Sequence, residues 1–368
     1  MPSIRPNSSL RPARVPAAVR SDVRPGTLAM AIGSVLGLAV PGIASAGNST
    51  ITTPSDPGRD LGTVITNPGD GNRYQVDSDA SRIRNRNAFN SFGDFSLAQG
   101  DTVDLMVPDG ADNLINLVWD SQALINGVLN SYKDGQIGGR VFFADTHGVV
   151  VGASGVLNVG SLAIATPTTG FMNRLLDAGS TGDNAVAALL RGEVPLSPAG
   201  VSVLGRINAR DDVRIQARAI DASGTIWVAC GSGADRLDSE VAVNTGAGTG
   251  TRLVNDGGNI LLVAEDSLLV PGTVHAEGGD IVLQADDIVQ IQAGARIDSR
   301  QVGSSGTLAD ADASTGDSGD IVVAGRDIAV AGGAMLDAGA TGAHEAGDIA
   351  IDAAARAKVQ TGLAEAHS

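Results

Sequence analysis

Four segments of this chain repeat one motif: a glycine, an aspartate or asparagine, an isoleucine and a short aliphatic run. Gly258-Asn259-Ile260-Leu261-Leu262-Val263 returns as Gly279-Asp280-Ile281-Val282-Leu283. It returns again as Gly319-Asp320-Ile321-Val322-Val323 and as Gly347-Asp348-Ile349-Ala350-Ile351, at spacings of 21, 40 and 28 residues. A second element lies between them. Asp287-Ile288-Val289-Gln290-Ile291 followed by Gly294-Ala295-Arg296-Ile297-Asp298 matches Asp327-Ile328-Ala329-Val330 followed by Gly333-Ala334-Met335-Leu336-Asp337. A strand of four or five residues cannot bury its apolar face alone, so units of about 20 residues must stack on one another. Coiling the chain so that each strand pairs with its equivalent one turn later places like residues in ladders, which predicts an all-β parallel β-helix, a solenoid. Leucine-rich repeats compete at this period, but their helical half and their Leu and Asn spacing are missing.

Composition agrees with a narrow aliphatic interior. Of 368 residues 43% are hydrophobic but only 3% aromatic, and 49 are glycine, well above the roughly 7% share usual for glycine. Nine of the ten aromatics fall before residue 172, and only Trp227 follows. The apolar content excludes disorder by composition. A net charge of −16 argues against a nucleic-acid partner, because phosphate binding needs a basic face. A single cysteine, Cys230, excludes an internal disulfide.

Residues 1–46 have the pattern of a signal peptide. Arg5, Arg11, Arg14, Arg20 and Arg24 make the start basic, an apolar run extends from Leu28 to Ile43, and Ala44-Ser45-Ala46 offers the small residues of a cleavage site before Gly47. The rival reading, a membrane anchor, needs a run of about 20 residues, longer than this one. The expected route is general export of an unfolded chain. Residues 47–85, with Pro54, Pro57 and Pro68, read as an extended N-terminal segment with one short strand at Gly62 to Thr66. From Asn87 strands begin: Phe89, Phe92 and Phe95 lie three apart, and Thr102-Val103-Asp104-Leu105-Met106-Val107 alternates. Phe171 to Pro198 interrupts the pattern as an insertion. It carries one short helix over Asn184–Arg191, with Asp183 as its cap and Gly192 and Pro195 as its stop.

Ile125-Asn126-Gly127-Val128-Leu129, Gly139-Arg140-Val141-Phe142-Phe143-Ala144, Gly148-Val149-Val150-Val151-Gly152 and Gly155-Val156-Leu157-Asn158-Val159-Gly160-Ser161-Leu162 follow one another in that order. This ordered set resembles the secretion domain of filamentous-haemagglutinin-type exoproteins of the two-partner secretion pathway, as do Asn87-Ala88-Phe89-Asn90, Phe95-Ser96-Leu97 and Gly100-Asp101-Thr102-Val103. The likeness covers residues 86–206 well and the later repeats more loosely. It implies a right-handed β-helix with an N-terminal cap and extra-helical strands. It also implies a partner, an outer-membrane β-barrel transporter with periplasmic modules, through which the unfolded chain leaves the periplasm of a Gram-negative bacterium. Members of the family include adhesins, cytolysins and leukotoxin-like large exoproteins, many of them far longer than this chain.

Where the family usually shows Asn-Pro-Asn-Gly, this chain has Asp145-Thr146-His147-Gly148. Asp can cap the same turn with its side chain as Asn does, and the glycine is kept. The candidate secretion motifs are therefore Asn126 and Gly127, and Asp145, Thr146, His147, Gly148 and Val149. The resulting division is signal peptide 1–46, extended segment 47–85, secretion domain and start of the β-helix 86–206, and β-helical repeats 207–368. The mature chain is expected to be secreted or held at the cell surface, where a host-cell or surface glycan target is an expected partner.

A second reading is a secreted β-helical polysaccharide lyase or hydrolase, since such enzymes place two carboxyls on a cleft. Asp310, Asp312, Asp317 and Asp320 cluster, and Asp211-Asp212 and Asp286-Asp287 are pairs. Most of them sit beside glycines, where Asp forms turns. The strict calcium-roll nonapeptide is absent, and His147, His275, His344 and His367 lack metal-ligand spacing and read as surface residues. Cys230 follows Trp227-Val228-Ala229 as a small buried residue, and Gly246-Ala247-Gly248-Thr249-Gly250 lacks the lysine of a phosphate loop. No serine sits in a nucleophile elbow. The expectation is thus a protein without a catalytic set, metal or cofactor.

Overall fold

In the computed structural model, which describes residues 48–67, 72–228, 258–301, 316–340 and 343–359, the repeats become successive rungs of one coil. Rung 1 is Asn87–Phe92, Phe95–Leu97 and Thr102–Met106, and rung 2 is Asn113–Val118, Ala123–Ile125 and Val128–Lys133. Rung 3 is Arg140–Asp145, Val149–Val151 and Val156–Val159, and rung 4 is Ser161–Ala165, Val201–Val203 and Arg206–Ala209. In each, the first two segments join one parallel sheet and the third joins another. From rung 5 the first two segments fuse into one long bent strand: Val213–Asp221, Ile260–Val270, Ile281–Ile291, Ile321–Val330 and Ile349–Val359. The second sheet continues through Thr225–Val228, Thr273–Ala276, Arg296–Asp298 and Met335–Asp337. The fold is an all-β parallel β-helix.

The repeated motif has one physical job per residue. Its isoleucine extends a column that runs Ala88, Leu114, Val141, Leu162, Val213, Ile260, Ile281, Ile321, Ile349 through consecutive parallel pairs. All but the last of these are buried. The residue before it forms a side-chain relay. Asp212 Oδ1 accepts from the Asn259 N–H (3.0 Å), Asn259 Oδ1 from Asp280 (2.9 Å), Asp280 Oδ1 from Asp320 (2.9 Å) and Asp320 Oδ1 from Asp348 (2.8 Å). The glycine permits close stacking, since a Cβ on Gly279 would lie 1.8 Å from the Gly258 carbonyl oxygen and one on Gly347 2.0 Å from that of Gly319.

Sequence spacing misjudges one register. Motif matching sets Ile288 against Ile328, but the strands pair Val289 with Ile328 and Ile288 with Asp327. A bulge at the bend absorbs the difference, because two residues lie between Ala285 and Ile288 where a single one lies between Gly325 and Asp327. Val289 and Ile328 thereby both enter the core, and Ile288 does not.

The N-terminal segment is more structured than its prolines suggest. Val64–Thr66 forms the expected strand and is the first of the second sheet, antiparallel to Arg73–Asp77, which in turn pairs parallel with Thr102–Met106, while Thr50–Ile51 pairs antiparallel to the strand containing Phe95. Thr63 Oγ1 accepts the Ser91 N–H at 2.7 Å, occupying an edge donor of rung 1. The first rungs hold the aromatic part of the core. Phe95 meets Phe92 and Phe143 edge-on, with ring centroids 4.9 and 5.5 Å apart.

The insertion contains two helices rather than one, α1 (Thr169–Leu176) and α2 (Ser180–Arg191). Its cap is also earlier than expected: α2 starts after Gly179, and Asp183 lies in the first turn. The expected stop holds, with Gly192 left-handed at φ 79°. Phe171, Met172 and Leu175 on α1 and Ala185, Val186 and Leu189 on α2 form the apolar stripes. They cover Phe89, Ile115, Leu117, Phe142 and Ala144, which point outward from rungs 1 to 3. Arg214 donates to the Leu189 and Leu190 carbonyls at 2.9 Å, closing the end of α2.

Candidate functional site

Asp145 ends the first strand of rung 3, in the column that holds Phe92 in rung 1 and Val118 in rung 2. Its side chain therefore points into the coil and is fully buried. Oδ1 accepts the His147 N–H and Oδ2 the Ala123 N–H, both at 2.8 Å, so the carboxyl caps its own turn and ties it to the rung below. Burial pushes the Asp145 carboxyl up to about 7, against the pull of these two donors. Gly148 closes the turn at φ 100°, and a Cβ there would sit 2.5 Å from the Gly200 carbonyl oxygen. Thr146 is half-buried, His147 is exposed with Nδ1 3.5 Å from Asp145 Oδ1, and Val149 is buried against Ala123 and Val201.

Asn126 and Gly127 form the next corner of rung 2, between Ala123–Ile125 and Val128–Lys133. The Asn126 N–H donates to the Leu97 carbonyl at 2.8 Å, and its own carbonyl accepts from Ser154 Oγ at 2.7 Å. Gly127 is buried so closely that a Cβ would lie 2.3 Å from the Asp101 carbonyl oxygen. The two candidate motifs occupy different corners with strand Val149–Val151 and its partner Ala123–Ile125 between them, so they do not form one pocket. Ala44, Ala46 and Gly47, the expected cleavage residues, lie outside the described residues, as do Cys230, Asp310, Asp312 and residues 246–250.

A polar column on the second sheet was not foreseen. Asp104, Asn130, Asn158, Asn208, Trp227, His275, Asp298 and Asp337 stand in register. Asn130, Asn158 and Asn208 are nearly fully buried and hydrogen-bonded in series, with Asn208 Nδ2 donating to Asn158 Oδ1 (3.0 Å), Asn158 Nδ2 to Asn130 Oδ1 (2.8 Å) and Asn130 Nδ2 to Asp104 Oδ1 (3.0 Å). The signal was present in the triplets Val128-Leu129-Asn130, Val156-Leu157-Asn158 and Arg206-Ile207-Asn208. Replacing Asn158 with Ala leaves a buried donor and a buried acceptor without their relay partner. A loss of about 2 kcal/mol of unfolding free energy is expected, checked by urea titration; an unchanged midpoint would show the relay to be neutral.

Farther along the same column, His275 departs from its expected surface position. It is buried, tilted against Trp227 at 4.3 Å, with Nδ1 3.7 Å from Asp298 Oδ1. Burial alone would raise the Asp298 carboxyl, but the pull of His275 and Arg300 outweighs it and holds Asp298 well below the usual carboxylate range. Arg300 donates from Nε to Oδ1 at 3.0 Å and from Nη2 to Oδ2 at 2.7 Å.

Five of the other carboxylates noted in the sequence are engaged within the coil. Asp212 and Asp320 belong to the corner relay, Asp317 Oδ1 accepts the Glu345 N–H at 2.8 Å, Asp287 pairs with Arg326 at the bend, and burial raises the Asp211 carboxyl beside Ser161. These engagements do not favour the polysaccharide-cleaving reading, which needs two carboxyls directed at a shared cleft.

A capped parallel solenoid with helices covering one outer face defines a β-helical protein built for stacking strands. The chain belongs to the TPS secretion domain family, whose model matches residues 56–323, and it is an exoprotein of the two-partner secretion pathway. Membership implies export through the periplasm of a Gram-negative bacterium by way of a partner outer-membrane transporter. Among solved structures, the chain is similar to the HMW1 secretion domain from Haemophilus influenzae, at 14% identity and a TM-score of 0.37 over 84% of this chain and 97% of that one. No curated protein matches it.

Proposed function

We infer that residues 86–206 carry the export signal and that the partner barrel's periplasmic modules read it on the extended chain. The observation that supports this reading is burial. Gly127, Asp145, Gly148 and Val149 are all enclosed once the rungs close, so a partner can pair with these segments only before folding. Backbone pairing to an extended segment needs free strand edges, and the unfolded chain supplies them. Residues 1–46 first direct the chain to the general export machinery, with cleavage before Gly47. Outside, closing each rung buries a further set of aliphatic residues and opposes return through the barrel. The folded solenoid then acts at the cell surface or in the medium as an adhesin or cytolysin with a host-cell or glycan target.

Deleting residues 86–206 is expected to abolish appearance in the medium, scored by co-expression with and without the partner barrel. Normal medium levels of the deleted chain would overturn the assignment. Accumulation of the intact chain in the periplasm without the barrel is the expected companion result.

A further inference from the structure

The second sheet holds a buried group of ionisable side chains that neither the aliphatic core nor the export reading uses. His275, Glu277 and Asp298 are each no more than 1% exposed. His275 lies between the two carboxylates, with Nδ1 3.7 Å from Asp298 Oδ1 and Nε2 3.8 Å from Glu277 Oε1. A neutral imidazole carries a hydrogen on one nitrogen only. Whichever tautomer formed, the bare nitrogen would direct its lone pair at a buried carboxylate, and only the imidazolium turns an N–H towards both. The Trp227 ring, tilted against His275 with centroids 4.3 Å apart, favours a cation at the same place. Against the cost of burial, His275 and Arg300 together hold the Asp298 carboxyl well below the usual carboxylate range, and that attraction is mutual.

We propose that His275 is kept as an imidazolium in the folded coil and acts as a pH-sensitive latch on the second sheet, fastening consecutive turns while it holds its proton and loosening them as the surroundings become alkaline. Trp227, His275 and Asp298 stand in register on successive strands, Thr225–Val228, Thr273–Ala276 and Arg296–Asp298, so the contacts run along the coil from turn to turn. The charged groups around His275 among the described residues are Glu277, just past its own strand, and Asp298 with Arg296 and Arg300 one turn on; Arg300 also reaches Asp337. An arginine keeps its charge wherever an imidazole titrates, so His275 is the cation that switches. The folded chain binds this proton more tightly than the unfolded chain, in which histidine titrates near about 6.5. The contribution is therefore complete below that value and is lost as pH rises through the higher folded-state value. The loss falls on the shorter ladder. Thr273–Ala276 and Arg296–Asp298 pair at three positions, whereas Ile260–Val270 and Ile281–Ile291 pair at nine. Local opening of the second sheet with the first still paired is the expected consequence.

The test starts from the wild type, which needs no substitution to report. In the purified chain carrying isotope-labelled histidine, the His275 ring is assigned by its contact with the Trp227 indole. Its resonances are then followed from about pH 5 to about pH 9. The expected midpoint lies about one unit or more above that of the urea-unfolded chain, a gain in proton affinity of about tenfold or more. Glu277→Gln and Asp298→Asn, each close in shape to the residue it replaces, should both lower that midpoint. Amide exchange, corrected for its intrinsic pH dependence, should show Thr273–Ala276 losing about tenfold in protection across the midpoint while Ile281–Ile291 holds. His275→Gln should abolish this step. Asp145 is unaltered in that variant, so a step that the variant loses belongs to His275. A midpoint at or below the unfolded value would overturn the proposal. So would a ring that keeps one charge state across the whole range, or the same exchange step in His275→Gln.

Discussion

Replacing Gly279 with Ala is expected to lower the unfolding free energy by about 3 kcal/mol or more, although the change adds a single methyl group. The added Cβ would sit 1.8 Å from the Gly258 carbonyl oxygen, and no rotamer can relieve a collision between a Cβ and backbone. Relief requires the rungs to separate. Ile260 N–H to Asp280 carbonyl at 2.9 Å, Ile281 N–H to Asp320 carbonyl at 2.8 Å and the Asn259–Asp280 relay all hold that spacing. Gly294→Ala is the matched control. Nothing lies within 4 Å of its Cβ position, and the cost there comes from its φ of 84° alone, about 1–2 kcal/mol. Denaturant titration should rank Gly279→Ala well below Gly294→Ala. Because solenoid stability is coupled mainly between neighbours, limited proteolysis of Gly279→Ala should cut first among the rungs at and after residue 279. Equal losses for the two variants would show that close approach between glycines does not set the rung spacing.

The same residues show which parts of the fold a sequence can reveal. Gly279, Asp280 and Ile281 recur together because each answers a constraint repeated at every turn: close approach, a relay acceptor and a place in the core column. Periodic demands leave periodic traces, so the β-helix and the pairing of Ile260, Ile281, Ile321 and Ile349 were legible. Features that occur once leave no such trace. The bulge that shifts Ile288 out of the core depends on how many residues span one bend, which motif matching does not count. Helix α1 has eight residues, including Gly170, too few for its stripe of Phe171, Met172 and Leu175 to stand out. It folds because Phe142 and Ala144 present an apolar face for it to cover. His275 was misplaced for a related reason. Its burial depends on the register that sets it against Trp227 and Asp298, residues 48 and 23 positions away in the chain. At the candidate site, the side-chain-capped turn at Asp145 could be foreseen from residue type, but not the inward direction of its carboxyl, which follows from its column with Phe92 and Val118.

That inward carboxyl gives the second large effect: the protein is expected to lose stability as pH rises from about 4 to about 7. The folded-state value of Asp145, about 7, lies above its ordinary 3.8, so in this window the folded chain binds a proton that the unfolded chain has released. Stability therefore declines with rising pH. The penalty is absent below the ordinary value, grows through the window and is complete above about 7. Its upper bound is about 4 kcal/mol, set by the size of the shift. Asp145→Asn removes the buried charge and should flatten this slope. Asn has one acceptor oxygen where the carboxylate uses two, for His147 N–H and Ala123 N–H, and one lost bond costs about 1 kcal/mol. The net expectation is a variant more stable than the wild type at pH 8 by up to about 3 kcal/mol, with the two curves crossing on the way down and the variant about 1 kcal/mol less stable near pH 4. His147→Ala removes the ring 3.5 Å from the carboxyl and should leave the slope in place, assigning it to Asp145. Parallel stability curves for wild type and Asp145→Asn would refute the assignment. The direction suits the proposed export route: near neutral pH an ionised Asp145 favours the open chain, and the rung that buries it must be closed by the stacking of its neighbours.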